Sequence, residues 1–144
     1  SLAAENIRVI DGDTFEADNQ RYRLWGIDAF ELKQKCFDQN KMLYSCGINS
    51  KKELEKIFSA AKDIKCHITT KDRYKRSIVK CMIDDVPLGT LLAASGWAVD
   101  YERYSGGEFK EDEKQAQSSK SGAWNGCFVK PWDYRHKENL NTCD

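Results

Sequence analysis

Apolar positions along the chain fall into short alternating runs at first and into wider, helical spacings later. Ile7–Ile10, Thr14–Ala17 and Gln20–Ile27 have the period-two character of strands, with Asp11-Gly12-Asp13 joining the first two and Asp18-Asn19 marking a turn before the third. They predict a three-stranded meander. Leu54, Ile57, Phe58 and Ala61 then recur at i, i+3, i+4 and i+7, and Ser50-Lys51-Lys52-Glu53 just ahead of them fits a capping box, so a helix is expected to start there. Lys65–Thr70 and Ser77–Ile83 alternate on either side of a charged turn and predict a hairpin centred near Arg73–Tyr74. A short helix is expected from Pro87 to Gly96, because proline is tolerated in a first turn and Leu88, Leu91 and Leu92 share a face. A mostly polar helix follows over Glu108–Lys120 and ends near Gly122, and Trp124–Tyr134 reads as an aromatic tail. Five short strands with about three helices predict an α+β, mainly β fold, a small Greek-key barrel. One domain is expected over 1–144, with 125–144 as its tail.

Composition narrows the class. The 144 residues are 40% apolar and 32% charged with only two prolines, which excludes disordered and low-complexity chains. Charged residues interrupt every apolar run well short of the roughly 18–20 residues a membrane span needs, so no membrane association is expected. Six cysteines, Cys36, Cys46, Cys66, Cys81, Cys127 and Cys143, form an even set without a C-x-x-C pair, which favours three disulfides over structural zinc. Cys36 and Cys46 flank a polar loop, and Cys66 and Cys81 lie opposite each other if the hairpin forms. Cys127 and Cys143 are left to tether the tail. Such a set points to a secreted or periplasmic protein whose signal peptide has been removed; free thiols in a cytosolic chain are the alternative.

Charge is balanced overall, with 23 basic and 23 acidic residues, yet uneven along the chain. Residues 1–32 carry three positive and seven negative charges, while residues 33–76 carry twelve and five. Zero net charge argues against a generic nucleic-acid binder, so any phosphate affinity must be local. Two places concentrate chemistry. Asp13 opens one strand while Asp28 and Glu31 lie just beyond the end of a paired one, and oxygen-only ligands of this kind suit Ca²⁺ or Mg²⁺. Asp11 and Asp18 read as ordinary turn acids. The basic turn Lys71-Asp72-Arg73-Tyr74-Lys75-Arg76 offers guanidinium forks for phosphate oxygens and a ring that can stack on a sugar or base.

Together, Val9-Ile10-Asp11-Gly12-Asp13-Thr14, Arg23-Leu24-Trp25-Gly26-Ile27-Asp28-Ala29-Phe30-Glu31, Asp72-Arg73-Tyr74-Lys75-Arg76, Leu91-Leu92-Ala93-Ala94-Ser95-Gly96-Trp97-Ala98 and Ser121-Gly122-Ala123-Trp124 resemble the staphylococcal nuclease (thermonuclease) family. Five blocks in order are far more specific than any one of them. The resemblance implies a five-stranded OB-fold barrel and a Ca²⁺-dependent nuclease acting on DNA, RNA or both. It implies Asp13 and Asp28 as ligands of one Ca²⁺, with the main-chain carbonyl of Ala29 as a further ligand. Glu31 would orient or deprotonate the attacking water, Arg23 and Arg76 would stabilise charge on the phosphate, and Arg73 and Tyr74 would bind substrate. A monomer without a small-molecule cofactor is expected. With two histidines, neither in a motif block, a histidine-based hydrolase has little to draw on. The family pattern runs Asp-x-Pro-Glu, and here Phe30 fills the proline position. The alternative is a nuclease-like module that has lost catalysis and binds nucleic acid or a protein partner.

Overall fold

The computed structural model describes residues 3–136 and Cys143. Its strands are β1 (Ile7–Asp11), β2 (Thr14–Ala17), β3 (Gln20–Leu24), β4 (Ile27–Ala29), β5 (Cys36–Phe37), β6 (Leu43–Tyr44), β7 (Ile64–Lys71), β8 (Ser77–Ile83), β9 (Val86–Pro87) and β10 (Ala98–Asp100). Its α-helices are α1 (Cys46–Ala60), α2 (Leu88–Ser95), α3 (Glu102–Ser105), α4 (Lys110–Ser118) and α5 (Pro131–Arg135). The class is α+β and mainly β, as the alternating runs require.

The predicted meander and hairpin join into one mixed sheet, ordered β1-β2-β3-β8-β7, with β9 beside β8. Antiparallel pairing sets Phe15 opposite Tyr22 and Cys66 opposite Cys81, while β8 runs parallel to β3 with Tyr22 facing Ser77 and Arg23 facing Ile78. The run Gln20–Ile27 is two strands rather than one. Gly26, in the left-handed region at φ 79°, turns the chain after Leu24, and β4 leaves the main sheet to pair with β10. That turn sets Asp28 on β4, opposite Val99 of β10. The first helix also departs from expectation, beginning at Cys46 rather than Ser50. Ser50 lies inside it and donates its hydroxyl to the Trp97 carbonyl at 2.6 Å instead of capping the helix.

Two apolar clusters organise the interior. The larger packs Phe15, Leu24, Val79 and Ile83 of the sheet against Leu54 and Phe58 of α1, with the Phe15 and Phe58 rings edge-on at 5.2 Å. The smaller gathers Phe30, Cys36, Cys46, Val99, Ala123 and Phe128 beneath the loop that follows β4. Its disulfide Cys36–Cys46, together with Cys66–Cys81 and Cys127–Cys143, reproduces the pairing read from the sequence. Among the described residues no helix is long and apolar enough to cross a membrane.

Candidate active site

Gly12 is where the site begins. A β-carbon at this position would lie 2.6 Å from the Ala29 β-carbon and 2.7 Å from that of Ser50, so glycine alone lets the β1–β2 turn settle against β4 and α1. Asp13 is thereby held beside Ala29, whose N–H donates to Asp13 Oδ2 at 2.8 Å, while the Thr14 hydroxyl donates to Oδ1 at 3.2 Å. Thr14 faces Arg23 across β2–β3, which brings the guanidinium alongside. Arg23 Nη1 donates to the carbonyls of Leu24 and Ile27 at 2.7 and 3.0 Å, and Nη2 lies 3.4 Å from Asp13 Oδ2 and 3.5 Å from Asp28 Oδ1. One nitrogen therefore touches two buried carboxylates.

Glu31 stands on the loop past β4. Its N–H donates to Gln34 Oε1 at 3.1 Å and its carbonyl accepts from the Gln34 N–H at 2.7 Å. Gly47, next to the disulfide, packs so closely against that carbonyl that a β-carbon there would collide with it. The unforeseen member is Arg135, at the end of α5. Its Nη1 and Nη2 donate to Asp28 Oδ1 and Oδ2 at 2.8 Å each, and Nη1 also donates to Glu31 Oε1 at 3.1 Å. Pro131-Trp132 carries a helix-start signal that would have located α5, but nothing local in the sequence announces that Arg135 reaches a residue 107 positions away.

Electrostatics follow from burial and pairing. Burial pushes the Asp28 carboxyl up to about 6, against the hydrogen bonds from Arg135 that favour ionisation. Burial also opposes ionisation of Asp13, but the Arg23 charge and the Ala29 N–H outweigh it and hold Asp13 below its ordinary range. Asp11 is pushed up to about 7 by burial and by the neighbouring Asp13 charge, with a smaller contribution from Glu31. It is more than a turn acid: it accepts the Asp13 N–H on Oδ1 at 3.1 Å, and its own ionisation is disfavoured beside the Asp13 carboxylate. The Asp28 hydrogen bonds in turn raise the Arg135 pKa, so this guanidinium is permanently charged.

A second group lies at the tip of the β7–β8 hairpin. Asp72 Oδ1 accepts the N–H groups of Tyr74 and Arg76 at 2.9 Å, and Oδ2 accepts Arg76 Nε at 2.8 Å. Burial disfavours the Asp72 charge, yet these bonds hold its pKa below the usual carboxylate value. Tyr74 is 65% exposed, with the guanidinium carbons of Arg73 and Arg76 at 5.0 and 5.7 Å from its ring centre. Arg76 immediately precedes Ser77, which faces Tyr22, the neighbour of Arg23, so the tip leaves the sheet beside the strand that carries Arg23. Thus Asp13, Arg23, Asp28, Ala29 and Glu31 are joined in one network, and Arg73, Tyr74 and Arg76 in another.

The donors fit a hard cation. Asp13 and Asp28 offer only oxygen and meet at one point, where the Arg23 nitrogen now lies, with the Arg135 fork on both Asp28 oxygens. Among the described residues no three His, Cys, Asp or Glu side chains form a metal cage, but the expected set needs only two carboxylates and a main-chain carbonyl.

A mixed sheet beside a separate short strand pair, with buried carboxylates and a guanidinium where the two meet, is the framework of a nuclease-like domain. In sequence, residues 21–126 match the family of staphylococcal nuclease homologues, and the chain belongs to that family. It is 34% identical over 117 residues to the succinoglycan biosynthesis protein ExoI of Rhizobium meliloti, covering 81% of this chain and 61% of that protein. It is 32% identical over 133 residues to a probable staphylococcal-like nuclease, CAN1, of Oryza sativa, covering 91% of this chain and 37% of the relative. The chain thus spans less than two thirds of either relative. Asp13 and Arg135 both fall outside the span matched to the family.

Proposed function

We propose that the chain is a nuclease that hydrolyses phosphodiester bonds in DNA, RNA or both, with one Ca²⁺. The observation that carries this reading is the convergence of Asp13, Arg23, Asp28 and Glu31, four residues from three separate segments, where the β2–β3 strands meet β4, with Glu31 joined to Asp28 through Arg135. Carboxylates crowded beside a phosphate-binding surface are costly for a pure binder and useful to a hydrolase. Asp13, Asp28 and the Ala29 carbonyl are the groups that hold Ca²⁺, which when bound supplies positive charge to the phosphate and acidity to water. Glu31, with its carboxylate partly exposed, accepts the proton of the attacking water. Arg23, fixed by two carbonyls, and Arg76, fixed by Asp72, are pre-aimed cations that meet charge developing on the phosphate oxygens without having to reorganise. Tyr74, exposed between two guanidinium groups, offers a stacking face for the nucleotide.

Three disulfides support a secreted or periplasmic location. The relative named as a probable staphylococcal-like nuclease supports the reaction class. A non-catalytic binding module is the second reading, and the fork of Arg135 on both Asp28 oxygens is the observation that favours it. The two part in one assay, the release of acid-soluble nucleotides from single-stranded DNA. The nuclease reading expects release with Ca²⁺, none with EDTA, and a loss of about 10²–10⁴-fold in Glu31→Ala, the usual contribution of a general base. Absence of Ca²⁺-dependent release from the wild-type chain would leave the binding module standing.

A further inference from the structure

The segment from Cys127 to Arg135 is fastened along its length to the loop that presents Glu31. Cys127 exchanges backbone hydrogen bonds with Phe37 at 2.9 and 3.0 Å, and Phe128 sets its ring edge-on to Phe30 at 4.8 Å. The Val129 carbonyl accepts from Gln34 Nε2 at 2.8 Å, and the other end of that same buried amide accepts the Glu31 N–H. Trp132 stacks on Tyr101, with centroids 5.5 Å apart and planes 8° from parallel. Arg135 completes the series. An arm fixed at this many points is a wall of the site rather than a loose end resting on it.

We propose that Arg135 is a positioning residue for the hydrolysis, acting through Glu31. Its Nη1 is bonded to Asp28 Oδ1 and to Glu31 Oε1 at once, so the partly exposed Glu31 carboxylate is referenced to a side chain that is fully buried. The grip uses Oε1 and leaves Oε2 free of the arm to take the proton from water. Nη2 closes the fork on Asp28 Oδ2, which fixes the guanidinium plane and with it the direction of the Nη1 bond to Glu31. Without Arg135 the Asp28 charge has, among the described residues, only Arg23 Nη2, at 3.5 Å, as a cationic partner. A lysine can supply the charge but not the fork, because a single ammonium cannot span both Asp28 oxygens and Glu31 in one plane. This role also replaces what proline supplies at the Phe30 position in the family pattern, a fixed pose for the following glutamate.

The inference rests on Glu31 being the base, and the test separates the two claims. Wild type, Arg135→Ala and Arg135→Lys are compared for kcat and KM on single-stranded DNA, for Ca²⁺ affinity by calorimetry, and for Tm. The expected result is kcat down roughly 10–100-fold in Arg135→Ala, the usual cost of losing an outer orienting contact, with KM within about threefold and Ca²⁺ affinity no weaker than in wild type, since the fork no longer competes for Asp28. Arg135→Lys should fall between, and added guanidinium should partly restore kcat in Arg135→Ala while leaving wild type unchanged. If the alanine variant does not fold, the lysine variant decides by the same criteria. Wild-type turnover with kcat unaltered in both variants overturns the role of Arg135 and leaves the nuclease reading intact. Faster turnover with tighter Ca²⁺ binding in Arg135→Ala overturns it too, because the arm is then a plug. An inactive wild type overturns the nuclease reading, and the role with it.

Discussion

Replacing Phe30 by alanine tests whether a packed ring holds the site loop where the family pattern has proline. The ring is 1% exposed, sits edge-on to Phe128 at 4.8 Å, and shares its cluster with Cys36, Cys46, Val99 and Ala123. Truncating a buried phenylalanine costs about 3–5 kcal/mol, because the lost transfer energy is joined by a cavity that the surroundings fill only in part. The disulfide Cys36–Cys46 borders this cavity and restrains its collapse, which argues for the upper half of that range. For a chain of this size each kcal/mol moves Tm by roughly 2–4 °C, so Phe30→Ala should melt roughly 8–20 °C below wild type in a circular-dichroism scan. Of the total, about 0.5–1.5 kcal/mol belongs to the edge-on pair and should appear as coupling in a double-mutant cycle with Phe128→Ala. Below its Tm the variant should also lose turnover, since the freed backbone leads directly into Glu31. A stability loss under about 1 kcal/mol, well short of the cavity cost, would refute the reasoning, as would strictly additive single mutants.

Two other outcomes are expected. Cys36→Ser with Cys46→Ser removes a closure spanning ten residues, worth about 2.7 kcal/mol of chain entropy, and frees the segment containing Gln34 and Gly47 that braces Glu31. Assayed well below the lowered Tm, turnover should still fall, and activity that merely tracks the folded fraction would show that the staple serves stability alone. Arg76→Ala should cut kcat by about 10²–10³-fold, the scale for removing one transition-state donor, whereas Lys52→Gln with Lys56→Gln, on the exposed face of α1, should change turnover little. The reverse ranking in a single-turnover assay would mean that substrate lies along α1 and not at the hairpin tip.

Period-two runs located the strands because each of these buries one face, and Cys66 facing Cys81 followed once the hairpin register was set. The break at Trp25–Gly26 was less legible. Both halves of Gln20–Ile27 are strand-like, and only the left-handed Gly26 and the pairing of Ile27 with Asp100 across β4–β10 reveal the change of sheet. Ser50-Lys51-Lys52-Glu53 has the spacing of a cap without its function, because the helix is already anchored a turn earlier at the Cys46 disulfide. Local chemistry named the acids and arginines of the five motif blocks. It could not name Gln34 or Arg135, whose partners are set by tertiary packing and not by spacing.

Arg135 also changes the meaning of the balanced charge. An opening segment with seven acids and three bases would repel the anionic substrate of the proposed reaction unless its carboxylates were neutralised in place. Arg23 neutralises Asp13 from within that segment, but at Asp28 it makes only a long contact. The short bonds to Asp28 come from the far end of the chain, across an arm tethered by Cys127–Cys143. The site is therefore closer to neutral than the segment that contains most of it, and its completeness depends on the C-terminal arm being docked. A truncation just before Arg135 removes two of the twenty-three basic residues, Arg135 and Lys137, and leaves a buried carboxylate under-paired, so its effect should be far larger than its share of the sequence.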